Sequence, residues 1–149
     1  VNFIKELAKD DKAYRSLTLS WYNNSNLKKI ITKAKELGYK IIITTDHGTI
    51  NVNTPSLVSG DKEISTNLRY KTAKKINSET KKVIKIDDPS SFLLPSNYLS
   101  SCFIFAKENT YFVYSNNYNN YVNMFKNTYQ HGGVSLEEML VPFVVIKPK

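Results

Sequence analysis

Residues 25–45 carry the pattern that most restricts how this chain can fold. Leu27, Ile30, Ile31, Ala34 and Leu37 recur at i, i+3, i+4, i+7 and i+10, which sets them along one face of an amphipathic helix. Ser25 or Asn26 can cap its start, and Gly38 stands where such a helix stops. Lys40-Ile41-Ile42-Ile43-Thr44-Thr45 follows at once, a continuous β-branched run of the kind buried in a parallel sheet. Helix, short turn and buried strand make one half of an α/β unit. The expected fold class is therefore α/β, a sheet flanked by helices.

The flanking segments add elements of both kinds. Phe3, Ile4 and Leu7 have helical spacing, so residues 1–9 read as the end of a helix already under way at Val1. A helix cut across in this way is expected in part of a longer protein. Residues 12–22 read as a short helix and then a loop, with Trp21 and Tyr22 as packing residues. Thr49–Asn53 alternates as a strand, residues 55–67 read as a loop around Pro55, Gly60 and Asp61, and Leu68–Tyr70 as a short extended piece. Residues 72–78 are expected to form a short helix. Val83–Ile86 reads as a strand stopped by the turn Asp87-Asp88-Pro89. Phe103–Ala106 and Tyr111–Tyr114 flank Lys107-Glu108-Asn109-Thr110 in the pattern of a β-hairpin. Tyr118, Tyr121, Val122 and Phe125 keep helical spacing over residues 118–127. Ser135 with Glu138 three residues on makes a capping box, and Met139–Ile146 ends the chain as a strand.

Composition narrows the class. At 149 residues with 41% hydrophobic content, the chain is one domain or part of one. No apolar run approaches the roughly 18–20 residues of a membrane span, and no secretory leader pattern opens the chain, so membrane insertion is not expected and a cytoplasmic location fits. Cys102 is the single cysteine and lies in an apolar run, which excludes a disulfide framework. The net charge of +8 comes almost wholly from lysine, Arg15 and Arg69 being the two arginines. The lysines are dispersed and few adjoin aromatics, which favours a solvated surface over a dedicated polyanion site.

Two histidines occur, and each precedes a glycine in a compact polar motif: Thr44-Thr45-Asp46-His47-Gly48 and Gln130-His131-Gly132-Gly133. Asp46 and His47 sit where the apolar strand ends, and a turning backbone can aim both side chains at one divalent ion such as zinc or manganese. A capping Asp beside a hydrogen-bonded His is the alternative. Gly132 and Gly133 let the backbone pass close to something, whether a metal, a phosphate or another strand, or form a flexible turn. Three candidate ligands fall short of the about four that a zinc site uses and of the set a two-metal site needs. Asp61, Asp87, Asp88, Glu137 and Glu138 show no ligand spacing, and Glu138 is expected in the capping box. No nucleophile elbow and no Gly-rich phosphate loop is present. Asn67, Arg69 and Tyr70 cluster, with Arg69 suited either to phosphate or to a structural salt bridge.

Ile42–Ile50 and Gln130–Pro142, with their Asp-His-Gly and His-Gly-Gly cores, resemble the PglZ domain of the alkaline phosphatase superfamily. Ala13–Thr18, Ser20-Trp21, Ser65–Lys71 and Asn116–Asn119 resemble the corresponding blocks of PorX-like two-component response regulators. The resemblance runs over nearly the whole chain and corresponds to the C-terminal part of that domain. It implies an alkaline-phosphatase-like sheet and a phosphodiesterase that works with two zinc ions and a Thr or Ser nucleophile. On that pattern Asp46 and His47 bind the metal beside the nucleophile, His131 binds the other, and Asn67 and Arg69 contact the substrate. No catalytic nucleophile is expected within residues 1–149. It belongs to the first half of the domain, upstream, together with the remaining ligands and a receiver domain. The implied partners are a phosphoester such as an oligonucleotide, the receiver, its sensor kinase and a second copy in a homodimer, in signalling linked to type IX secretion. A non-catalytic module that relays receiver phosphorylation to a partner protein is the alternative, favoured if the aromatic stretch Tyr111–Tyr129 is exposed.

Overall fold

A computed structural model describes residues 4, 7, 8, 10–60, 66–95 and 102–148. Among these it is a mixed α/β protein of several small sheets with helices, divided into two compact units. Most of the expected helix over residues 1–9 lies outside the described residues, as do Asp61 and the rest of 61–65 in the expected loop.

The first unit spans residues 1–48 and 140–149. Its helix α1 runs over Asp11–Asn24, with the Asp10 carboxylate accepting from the Ala13 N–H at 2.7 Å. The expected break into loop does not occur: the helix runs unbroken to Asn24, with the Thr18 and Asn24 side chains donating to the carbonyls of Tyr14 and Ser20. Helix α2, Asn26–Glu36, follows after Ser25, and Gly38 takes φ +81°, the left-handed end expected of it. Strand β1, Ile41–Thr44, forms where the isoleucine run predicts. Its setting is different: it pairs antiparallel with β10, Phe143–Ile146, with Ile42 opposite Val145, and this two-stranded ribbon leaves Ile42, Ile43, Phe143, Val144 and Val145 exposed. The expectation of a buried parallel strand is corrected accordingly. No second neighbour lies beside either strand among the described residues.

The second unit, residues 49–139, holds the core. Strands β2 (Ile50–Val52), β3 (Thr54–Gly60), β4 (Tyr70–Ala73), β5 (Ile76–Ser78), β6 (Val83–Ile86), β7 (Cys102–Ala106), β8 (Thr110–Tyr114) and β9 (Thr128–Gln130) form three sheets. These are a β2–β9 ribbon, a β5–β3–β8 sheet and a β4–β7–β6 sheet. Val58, Ile76 and Phe112 of one three-stranded sheet meet Ala73, Val83, Cys102, Ile104 and Ala106 of the other. Side chains alternate along a strand, so Tyr111 and Val113 leave β8 on the opposite face, where they join Val52, Ile50, Leu68, Tyr121 and Phe125. Strand β8 is thus covered on both faces, as its unbroken apolar sequence requires.

Three expectations are corrected here. The strands flanking Lys107–Thr110 form, but not as a hairpin. Both edges of β7 are taken by β4 and β6, so β8 turns into the facing sheet and pairs parallel with β3. The loop predicted over 55–67 contains β3, a strand held by five parallel rungs to β8 and three antiparallel rungs to β5. Pro55 fits because β5 reaches only to Val58 and leaves that stretch of edge unpaired. Residues 72–78 are the end of β4 and β5, not a helix. Helix α3, Tyr118–Phe125, agrees with its aromatic spacing; Asn117 and Asn127 at its ends take φ +69° and +61°, conformations asparagine tolerates. The short helix α4 covers Leu136–Met139.

Candidate functional site

In the first unit the backbone leaves β1 at Thr44 and turns through Thr45-Asp46-His47-Gly48. Asp46 Oδ1 accepts from the His47 N–H at 3.1 Å and lies 3.2 Å from Thr45 Oγ1. His47 Nδ1 is 2.7 Å from Gly48 O, a contact that makes Nδ1 the protonated nitrogen and gives Nε2 the lone pair of the neutral ring. That Nε2 stands 3.8 Å from Asp46 Oδ1. The ring nitrogen and the carboxylate oxygen therefore face one another, an arrangement that suits a metal cation between them. Hydrogen bonding from its own backbone N–H and the adjacent imidazole hold the Asp46 carboxyl below its usual range. Ligands at zinc's usual ~2.0–2.2 Å and a tetrahedral angle stand about 3.3–3.5 Å apart, so the pair fits after closing by a few tenths of an ångström. The carboxylate is exposed and the imidazole partly so, leaving both reachable from solvent.

In the second unit His131 follows the last rung of the β2–β9 ribbon, where Gln130 pairs with Ile50. Its side chain is exposed. Behind it lies a buried polar cluster. Glu138 Oε1 and Oε2 accept from Arg69 Nε and Nη2 at 2.9 Å each, with side-chain exposures of 0% for Arg69 and 1% for Glu138. Arg69 Nη1 also donates to Thr110 O. The same carboxylate accepts the backbone N–H of Gly133 at 2.9 Å and of Ser135 at 3.2 Å. Burial alone would raise the Glu138 carboxyl, but hydrogen bonds from Arg69 and Gly133 and the guanidinium charge bring it below its ordinary value. Asn67 completes the cluster. Its Oδ1 accepts from the N–H groups of Arg69 (2.7 Å) and Tyr70 (3.1 Å), and its Nδ2 donates to His131 O at 3.4 Å.

These contacts revise several sequence readings. Arg69 is fully buried and committed to Glu138, so as placed it cannot reach a phosphate; of the two readings of this arginine, the structural salt bridge is the one found. The amide of Asn67 is likewise turned to backbone. The capping box is half made: Glu138 reaches the Ser135 N–H, while Ser135 Oγ is buried with no hydrogen-bond partner among the described residues. Asp87 pairs with Lys85 at 2.7 Å, and Asp88 caps a 3-10 turn at Ser90, which is the turn role expected of them. Tyr111, Phe112 and Tyr129 are buried, so the aromatic stretch is largely core, not an open docking face. Among the described residues, no three His, Cys, Asp or Glu side chains are grouped as a metal site.

One residue escaped the sequence reading. Lys71 is fully buried, donates to Tyr114 Oη at 2.8 Å and lies over that ring, and burial pushes its ammonium down to about 8. The available signal was its i, i+2 spacing from Arg69 on a strand, which puts both on one face.

The family model described as the BREX system PglZ alkaline phosphatase-like domain matches residues 4–146. Comparison with curated proteins gives no match. No helix among the described residues is long and apolar enough to cross a membrane.

Proposed function

The chain belongs to the PglZ alkaline phosphatase-like domain family, a phosphoesterase-like family, and on that premise we propose that it supplies metal ligands to a zinc-dependent phosphodiesterase site. The observation that carries the reading is the pairing at the end of β1. There the Asp46 carboxylate and the His47 imidazole face each other, with Nδ1 anchored on Gly48 O. That anchor fixes the ring's tautomer and direction, as the outer partners of ligating histidines do. Asp46 and His47 would hold one ion and His131 a second. Bound zinc would supply Lewis-acid stabilisation of a phosphoryl oxygen and activation of a hydroxyl nucleophile. The residues here do the orienting: Gly48 holds the His47 ring, the Asp46 charge is kept ionised, and the β2–β9 ribbon ends directly before His131. On this reading the nucleophile and the ligands completing both ions are residues other than Asp46, His47 and His131.

We further propose the finer setting that the blocks Ala13–Thr18, Ser65–Lys71 and Asn116–Asn119 support: the effector domain of a PorX-like response regulator linked to type IX secretion. It would be controlled by a receiver domain and sensor kinase and act on an oligonucleotide-type phosphodiester. The test is zinc content and hydrolysis of a chromogenic phosphodiester by the intact protein and by Asp46→Asn, His47→Ala and His131→Ala. Each variant is expected to lose bound zinc and at least tenfold in rate. Zinc content and rate equal to the parent's would reject the ligand role of the residue changed.

A further inference from the structure

We propose that Asn67, Arg69 and Glu138 form a buried latch that aims His131, making them positioning residues for that ligand. The inference rests on the metal reading of His131 given above. Both glycines of His131-Gly132-Gly133 lie tight against this cluster. Gly132 takes φ +103°, and a Cβ there would stand 2.7 Å from Asn67 Nδ2 and 3.1 Å from its Oδ1. A Cβ on Gly133 would stand 2.6 Å from Glu138 Oε2 and 3.1 Å from Arg69 Nε. The glycines are thus the condition for the turn to seat on the polar cluster with no methyl group's width between them. Once seated, the turn is gripped on both sides of the histidine. Asn67 holds the His131 carbonyl, Glu138 holds the Gly133 and Ser135 N–H groups, and the β9 ladder ends at Gln130. Arg69 holds Glu138 in turn through two parallel bonds, the geometry that best fixes a carboxylate's plane. A buried ion pair is a weak source of net stability but a strong source of fixed geometry when every polar atom is satisfied.

The test is made in the intact protein, with His47 as the internal control for His131. Imidazole Cε1–H resonances of His47 and His131 are assigned by deleting each in turn, and their zinc-induced shifts are followed in the parent, Asn67→Ala and Glu138→Gln. The expected result is that the zinc midpoint at His131 rises about tenfold in both variants, while the midpoint at His47 stays within about twofold. A latch that matters only for stability would lower the melting temperature and leave the His131 midpoint where it was. That result, or equal shifts at both histidines, overturns the proposal. If Glu138→Gln does not fold, Asn67→Ala decides, since Asn67 is half-buried and carries no charge. A parent His131 resonance that ignores zinc instead overturns the metal reading of that residue, and the positioning role with it. That outcome is seen without any change to the latch residues and is therefore distinct from failure of the latch alone.

Discussion

Lys71 shows how far a single residue can tie stability to pH. Its ammonium sits among β-strands with the Tyr114 hydroxyl and ring beside it, and burial lowers its pKa to about 8 from the ordinary 10.5. A lysine whose folded pKa is depressed binds fewer protons in the native than in the unfolded state between those two values, so stability rises with pH through that window. Below about pH 8 the native lysine must carry its charge in the interior and the full cost is present. Urea unfolding should therefore find the parent more stable at pH 9.5 than at pH 7.5 by about 2 kcal/mol, from 1.36 kcal/mol per pKa unit. Lys71→Met should remove that difference. A pH dependence that survives in Lys71→Met would place its origin elsewhere. Tyr111, Tyr114 and Cys102 are all raised by burial and act in the opposite sense, the tyrosines at still higher pH and Cys102 from its ordinary 9.0 upward, so the comparison stops at 9.5 and the Lys71 effect is read as the parent's change less that of Lys71→Met.

At the scale of elements, β8 is the strand on which the second unit turns. Phe112 fills the space between the two three-stranded sheets, and Tyr111 and Val113 fill the opposite face toward β2 and α3. Phe112→Ala should cost about 3–5 kcal/mol, the usual range for a buried phenylalanine. Phe143→Ala in the exposed β10 should cost under about 1 kcal/mol. Comparable losses for the two in chemical denaturation would contradict the burial described. This strand also marks the limit of what could be read in advance. Cys102–Ala106 and Tyr111–Tyr114 were legible as strands because apolar runs identify burial, but a run does not name its neighbour. The choice between a hairpin and two facing sheets was made by β4 and β6 occupying both edges of β7. Strand β3 was hidden for a related reason. Pro55, Ser56, Ser59 and Gly60 have turn character, and only its ladders to β8 and β5 impose extension. Helix α2 and its Gly38 stop were legible because helix signals are local. At the site, Asp46, His47 and the His131 turn stood out as motifs, whereas the Arg69–Glu138 pair joins residues 69 positions apart and left no local trace.

On the scale of the whole molecule, apolar burial is unevenly shared. Both core clusters belong to the second unit, whereas α1 and α2 contain no buried residue. The β1–β10 ribbon of the first unit carries the same contrast into the chain's behaviour at high concentration. Two short strands of Ile, Val and Phe, with backbone donors and acceptors along edges that no other described strand covers, form a template for adding further strands from other molecules. Lys40–Thr45 has the β-branched content of segments that stack into cross-β fibrils. Concentrated solutions should accordingly convert, after a lag that seeding abolishes, into fibres with a meridional reflection near 4.7–4.8 Å. Ile42→Lys should lengthen that lag severalfold without altering the amide spectrum of residues 49–139. An unchanged lag in that variant would move the nucleus of assembly to another part of the chain. The strand that presents Asp46 and His47 is, on this account, also the point from which the protein is lost to insoluble polymer.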